Sequence, residues 1–367
     1  MNQLNLGIVG ACRRGASFKA GCAQLNNVHI QAVCDTNEDD LEEAAHRLGA
    51  DQRYVDYDDM LEKANLDAVV IATPMHLHTD QAIKALSQNI HVLSEVTATV
   101  TIDECRDLVA ACNTSRAQYM LAENCNYSRA NLVVRELVRQ GLFGTTYFAE
   151  GEYLHDVQKL SEDTPWRRHW QTGIDGITYG THALGPVLQW MPHDRVVSVC
   201  CVGSSHHYRD PRNELYAQDT SIMLAKMHGG GLVKIRVDLL SRRPSVTTTY
   251  QLQGTEGCYE SARAPGEKNR VWLKSRCPDQ QIWLDLTELE EEFMPPMWRT
   301  AGQATQRAGH GGSDLFTIME FVDAIQENRP PALGIHEAMD MTLPGLVSQQ
   351  SIASDGAWLE VEDSRQW

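Results

Sequence analysis

A tyrosine and a histidine three positions apart, Tyr179 and His182, stand in the run ITYGTHALGPVLQW from Ile177 to Trp190. At the start of a helix that spacing puts both side chains on one face. A phenol beside an imidazole can pass protons to and from hydroxyl groups. The plainer reading is that Tyr179 packs while His182 caps or hydrogen-bonds within the scaffold. A second set of residues lies at the N-terminus, where the apolar run Leu4 to Val9 leads straight into Gly10-Ala11-Cys12-Arg13-Arg14-Gly15. A strand, a tight turn and a helix start expose backbone N–H groups that attract a pyrophosphate. Gly10, Cys12, Arg13, Arg14 and Gly15 are therefore candidate cofactor contacts. Cys12 stands where the G-x-G-x-x-G pattern has glycine, and it tolerates close approach only with a negative φ. Asp35 ends the next apolar run, 20 residues after Gly15. A carboxylate there accepts hydrogen bonds from ribose hydroxyls and repels a 2′-phosphate. Thr36, Asn37 and Glu38 supply no arginine for that phosphate, so the expected cofactor is NAD. Asp35 could instead cap a helix beginning near Glu38.

The elements that must position these groups alternate. Strands read at Leu4 to Val9, His29 to Asp35, Asp67 to Ala72, His91 to Ser94 and Tyr119 to Ala122. Helices read at Asp39 to Leu48, with Gly49 as its stop, and around Cys105, Leu108, Val109 and Cys112. That order predicts a mostly parallel, right-handed sheet through Glu123. Thr73, Pro74, His76 and His78 follow the third of these strands, and Glu95 follows the fourth. Both groups sit at the C-terminal edge, where open α/β sheets bind ligands. Beyond a helix from Arg129 to Arg139, strands dominate: Thr145 to Tyr153, Val196 to Val202, Thr220 to Met227, Leu232 to Leu239, Thr247 to Leu252 and Val271 to Lys274. Val233, Ile235, Val237 and Leu239 alternate with Lys234, Arg236 and Asp238, a sheet with one wet face. Leu315, Ile318, Met319, Val322 and Ile325 mark a late helix. The fold class is α/β, a Rossmann domain over residues 1–123 and an α+β domain over residues 124–367 built on a large open mixed or antiparallel sheet.

Composition narrows the partners. The chain has 367 residues and a net charge of −17. That balance excludes nucleic acid and anionic membrane surfaces as natural partners, but a local basic pocket can still take an anionic small molecule. The ten cysteines form no C-x-x-C pair, so reduced thiols in a cytoplasmic protein are expected. No signal peptide precedes the first strand and no apolar run approaches the ~18 residues of a membrane span. His76, His78, His155 and His182 lack paired ligand spacing, and no metal is expected. A broad open sheet must cover an apolar face, which predicts a homodimer or homotetramer.

GIVGACRRG, the strand ending AVCD, ATPMHLH and HVLSEVTAT resemble, in order and spacing, the glucose-fructose oxidoreductase/inositol dehydrogenase superfamily. That resemblance implies an N-terminal Rossmann domain, a C-terminal domain whose open sheet forms dimer contacts, and NAD. Ordinary dehydrogenases of the superfamily carry Glu-Lys-Pro with a catalytic lysine; here the triplet is Glu95-Val96-Thr97. AENCNY, LVRQGLFG, ITYGTHALGPVLQW and AGHGG are similar to the NAD-dependent glycoside hydrolases. These include family 109, acting on α-N-acetylgalactosaminides, and, more broadly, NAD-dependent sulfoquinovosidases. Enzymes of that kind oxidise sugar C3, remove the acidified C2 proton, eliminate the C1 substituent, add water and re-reduce. The resemblance gives Tyr179 and His182 the proton transfers at C3 and C2, in either assignment. Asn124, Trp166 and Arg167 join the cofactor set, since Trp-Arg lies near the nicotinamide in the wider family.

Tyr127, His155, Arg168, Tyr179 and His310 form the expected substrate set, for a carbohydrate or glycoside, an anionic one included. Each has a plainer alternative: core packing for Tyr127, a surface role for His155 and His310, and a carboxylate partner for Arg168. Arginine can clamp an anionic group in two-point geometry, and aromatic faces stack on sugar rings. Two other functions remain open: a sugar dehydrogenase that releases a 3-keto product, and a non-catalytic NAD-sensing regulator.

Overall fold

The computed structural model describes residues 3–192, 194–244, 246–277, 279–300 and 309–367. By contacts the chain forms two compact units. One comprises Met1–Tyr127, Ala301–Met339 and Ser364–Trp367, and the other Ser128–Thr300 and Asp340–Asp363. The division does not follow the single break expected after Glu123, because a late stretch of chain joins the first unit.

Within the first unit, β1 (Leu4–Val9), β2 (Val28–Cys34), β3 (Gln52–Tyr54), β4 (Ala68–Ile71), β5 (His91–Ser94) and β6 (Tyr119–Leu121) pair in the order β3-β2-β1-β4-β5-β6, all parallel. This is the order of a dinucleotide-binding sheet, with its switch point between β1 and β4. All four residues of β4 are buried, as a strand covered on both faces requires. Helices begin and end where local chemistry says they should. Asn37 caps Glu38–Leu48, and Gly49 at φ 75° ends it. Thr101 and Glu104 form a capping box at the head of Ile102–Thr114. The late helix Ser313–Glu327 belongs to this unit, and the segment after it serves the exposed edge of β6. The Leu121 N–H bonds the Leu333 carbonyl at 2.9 Å, and the Gln118 amide bonds the Arg329 carbonyl at 2.8 Å. Pairing that edge removes a liability of an open sheet.

The second unit holds a mixed sheet of nine strands among the described residues. They are β7 (Thr146–Leu154), β8 (Val196–Gly203), β9 (Thr220–Met227), β10 (Leu232–Asp238), β11 (Thr248–Gly254), β12 (Gly257–Glu260), β13 (Arg270–Leu273), β14 (Leu284–Asp285) and β15 (Leu359–Glu360). Their order is β14-β13-β12-β11-β7-β10-β9-β8-β15, with β7 and β10 parallel and every other pair antiparallel. Val233, Ile235 and Val237 are buried as their alternation predicts. The face expected to be wet is only half so. Lys234 pairs with Glu150, Arg236 reaches Glu152 and Asp238, and both Glu152 and Asp238 are buried. Opposite charges side by side on neighbouring strands compensate one another.

The helix Thr181–Trp190 lies against β7. It can do so because position 151 is glycine: a Cβ there would stand 2.2 Å from the Ala183 carbonyl oxygen. The Tyr250 hydroxyl donates to the His182 carbonyl at 2.6 Å, and Trp190 Nε1 donates to Asn131 at 3.2 Å. Both ends of this helix are thus tied down.

Candidate active site

In the first unit the glycine turn follows β1 directly. Gly10 has φ 80°, and a Cβ there would lie 2.4 Å from the Ala72 carbonyl oxygen. Cys12 is not among the residues with positive φ, so its side chain is accommodated as the sequence requires. Asp35 accepts the Cys12 N–H at 2.9 Å through one oxygen and the Asn37 N–H at 3.0 Å through the other. The helix cap is Asn37, which decides against the capping alternative for Asp35. Each carboxylate oxygen has two lone pairs, so Asp35 retains acceptor capacity for ribose hydroxyls. Among the described residues, the backbone N–H groups of Arg13 and Arg14 have no protein acceptor, as at any helix start. Those donors and that carboxylate fit a dinucleotide. Burial, with Asp35 beside it, pushes the Cys12 thiol up to about 12. Arg47 approaches the turn from the next helix, 3.5 Å from the Cys12 carbonyl.

The side chains assigned to cofactor binding divide sharply. Arg14 binds Glu95 at 2.8 Å through Nε and Asp314 by two bonds of 2.7 and 3.0 Å. The Asn124 amide donates to Asp314 at 3.1 Å, and His310 Nδ1 lies 3.0 Å from the same carboxylate. Three residues placed separately by sequence, Arg14, Asn124 and His310, therefore meet at Asp314, and Glu95 is joined to them through Arg14. Burial would raise that carboxyl, but bonds from His310 and Arg14 outweigh it and hold it well below the carboxylate range. Sequence reasoning missed Asp314, since an acid in the first turn of a helix reads as ordinary dipole complement. His310 has φ 52° and keeps its ring half exposed. Its neighbours Gly309, Gly311 and Gly312 are described, whereas Ala308 of the same motif lies outside the described residues.

His78 is only 1 % exposed, with Nδ1 2.8 Å from the Thr97 carbonyl and Nε2 2.9 Å from the Thr73 carbonyl. It ties two loops together instead of facing solvent. Burial lowers its pKa against those two carbonyls, which pull the other way. Thr73 donates its hydroxyl to Gln81, Pro74 precedes the turn Met75–Leu77, and His76 is half-buried within that turn. Tyr127 is buried.

In the second unit Tyr179 and His182 do meet. Their ring centroids are 5.4 Å apart at 82°, with Tyr179 just ahead of Thr181–Trp190 and His182 in its first turn. His155 joins the same cluster through Tyr153. Tyr153 is 5.0 Å from His182 and 5.9 Å from Tyr179, ring to ring. Burial lowers the pKa of His155, and the charges of Arg167 and His182 lower it further. Arg167 stacks on Trp166 at 4.4 Å and bonds Gln171 at 2.8 Å. Arg168 is not a free anion clamp. It binds the buried carboxylate of Asp210 at 3.1 Å and the Leu215 carbonyl at 2.8 Å, and lies 4.6 Å over Tyr216. Tyr179 also lines a polar recess with Gln171, Thr172, Thr178, Gln218 and Asp219.

Residues 127–366 match the family model of the glycosyl hydrolase 109 C-terminal domain. The chain belongs to the glycosyl hydrolase 109 family. Residues 4–123 match the oxidoreductase family's NAD-binding Rossmann fold, so this glycosyl hydrolase 109 member joins an NAD-binding domain to the family's C-terminal domain. It is similar to a glycosyl hydrolase family 109 protein of Saccharopolyspora erythraea, 29% identical over 394 residues, covering 98% of this chain and 83% of that one. A second such relative, from Shewanella pealeana, is 28% identical over 388 residues and covers 96% and 83%. Among solved structures, levoglucosan dehydrogenase in complex with NADH and levoglucosan shares the fold. Its TM-score is 0.85 at 19% identity, covering 99% of this chain and 100% of that one. An oxidoreductase of Agrobacterium radiobacter in complex with NAD+, L-tartaric acid and magnesium does so with a TM-score of 0.78 at 15% identity, covering 98% of each. No helix among the described residues is long and apolar enough to cross a membrane.

Proposed function

We propose that this chain is a redox-neutral glycosidase that uses NAD without consuming it. The observation that carries the reading is the Tyr179–His182 ring pair at 5.4 Å, in a chain of this family with valine at the lysine position, Val96. The Gly10–Gly15 turn would hold the pyrophosphate and Asp35 the adenosine ribose, by the donors and acceptors already described. Bound NAD supplies transient oxidation and re-reduction at sugar C3. The protein's own task is proton handling. One member of the Tyr179–His182 pair takes the C3 hydroxyl proton and returns it. The other takes the C2 proton, whose acidity rises next to a carbonyl, and gives it back after water has added. A phenol and an imidazole are both groups able to carry a proton to and from a sugar hydroxyl.

Hydrolysis of an aryl α-N-acetylgalactosaminide in heavy water tests the reading. Deuterium is expected at C2 of the released sugar, with activity abolished by removing NAD and no build-up of NADH. Hydrolysis without C2 exchange overturns it. The second reading is a net sugar dehydrogenase, favoured by the structural likeness to levoglucosan dehydrogenase. NADH forming in proportion to product selects it instead. The substrate in either case is a small carbohydrate or glycoside. A homodimer or homotetramer formed through the nine-stranded sheet is the expected assembly, and light scattering reporting a monomer contradicts it.

A further inference from the structure

Tyr153 lies on β7 two residues before His155 and is 7 % exposed. His155 is the first residue past the end of that strand. The Tyr153 hydroxyl is 2.9 Å from His155 Nδ1, and the two rings stand edge to face at 5.7 Å and 89°. The same phenol ring packs 5.0 Å from His182 and 5.9 Å from Tyr179. One buried tyrosine thus touches all three titratable rings of the cluster. We infer that Tyr153 is a positioning residue for proton transfer at this site, its hydroxyl fixing the tautomer of His155 and its ring fixing the spacing of Tyr179 and His182. The inference rests on the assignment of proton transfer to those two residues.

Three physical points support it. A neutral imidazole has one donor and one acceptor nitrogen, and the bond made by one nitrogen sets the tautomer of the other. The charged form of His155 is disfavoured by burial, and further by Arg167 and His182, with Asp156 opposing them only in part. Its Nδ1 therefore takes its tautomer from the Tyr153 hydroxyl. Second, a tyrosine needed only for packing would be served by phenylalanine, whereas a buried phenol must find a partner. Here the partner is itself titratable. Third, β7 is an interior strand, paired with β10 on one side and β11 on the other. A group mounted there holds its place more tightly than one on a loop.

The test uses the NAD-loaded, full-length protein and Tyr153→Phe, which keeps the ring and removes the hydroxyl. Nitrogen-15 NMR of the histidine side chains should show His155 as a single tautomer in the wild type and as an averaged mixture in Tyr153→Phe. The kcat for glycoside hydrolysis should fall by about 10- to 100-fold with KM within about twofold, the mark of an interaction felt beyond substrate binding. His155→Gln should lower kcat similarly, and the double variant should lose little more, because residues acting as one unit are non-additive. An unchanged His155 tautomer in Tyr153→Phe overturns the inference, as does a fully multiplicative double variant. If the wild type hydrolyses no glycoside while the tautomer is still released by Tyr153→Phe, the glycosidase reading fails and the coupling of Tyr153 to His155 stands.

Discussion

The two units treat their polar side chains in opposite ways. Around Asp314 in the first unit, full charges meet: Arg14, Glu95 and Asp314 are paired at 2.6 to 2.7 Å, with Asn124 and His310 added. Around Tyr179 in the second unit, titratable rings meet at 5.0 to 5.9 Å. A paired charge in a buried place is committed, since releasing either partner strands the other. A neutral ring donates or accepts with little reorganisation. Under the proposed function the first cluster is architecture and the second carries the chemistry, and that contrast can be broken from either side.

The sharpest break is at His182. His182→Ala should lower the rate about 10²- to 10⁴-fold as a lost general acid or base, with the unfolding midpoint nearly unchanged. An equal loss of stability would make His182 a scaffold residue. The converse is expected at Arg14. Arg14→Met leaves the buried Asp314 carboxylate with His310 as its remaining titratable partner and should cost about 3 kcal/mol in denaturant unfolding. A loss confined to NAD affinity, with stability intact, would return Arg14 to the cofactor.

Acid should separate the clusters further. His78, His91 and His155 have pKa values lowered by burial. The unfolded chain therefore binds protons first, near 6.5, and the folded state binds them only at lower pH. Stability should be complete above about pH 6.5 and fall as pH drops through the lowered values. Asp314, also depressed, adds a later loss at more acidic pH. Thermal melts from about pH 7.5 down to about pH 2 should show the two stages, and a flat profile contradicts the burial of these rings. The smallest effect is on cofactor choice. Asp35→Ser should narrow the preference for NAD over NADP, the more so because Arg47 stands close to the turn. Nucleotide titrations that find the preference unchanged would remove Asp35 from the ribose site.

Much of this was legible in the chain itself, for local reasons. Leu4 to Val9, the glycine turn and Asp35 announce themselves by an apolar run, a turn residue and a spacing. Arg129–Arg139 reads as a helix from its apolar stripe and the Gly141 that follows at φ 76°. The short strands β3, β14 and β15 were hidden, because two or three residues carry no alternation. Tyr153 was hidden for the opposite reason, since an aromatic on a strand reads as ordinary core. Arg168 and Asp210 are 42 positions apart, and Arg14 and Asp314 are 300 apart. Pairs so distant leave no periodic trace, so each arginine read as available when it was already occupied.

Gly151 carries no functional group, yet under the proposed function it sets where the helix bearing His182 can stand. Even the smallest side chain there collides with the backbone of the helix that carries the histidine. Relief would have to come from movement of that helix, and a displacement of about 1 Å can cost about 100-fold in rate. Such a variant would still fold its Rossmann sheet and still bind nucleotide, so an assay of cofactor occupancy would score it as intact. In a lineage, one conversion of this glycine to alanine is a short path from an enzyme to a nucleotide-binding protein without catalysis. The identity of residue 151 is thus a quick first question to ask of any relative whose activity is in doubt.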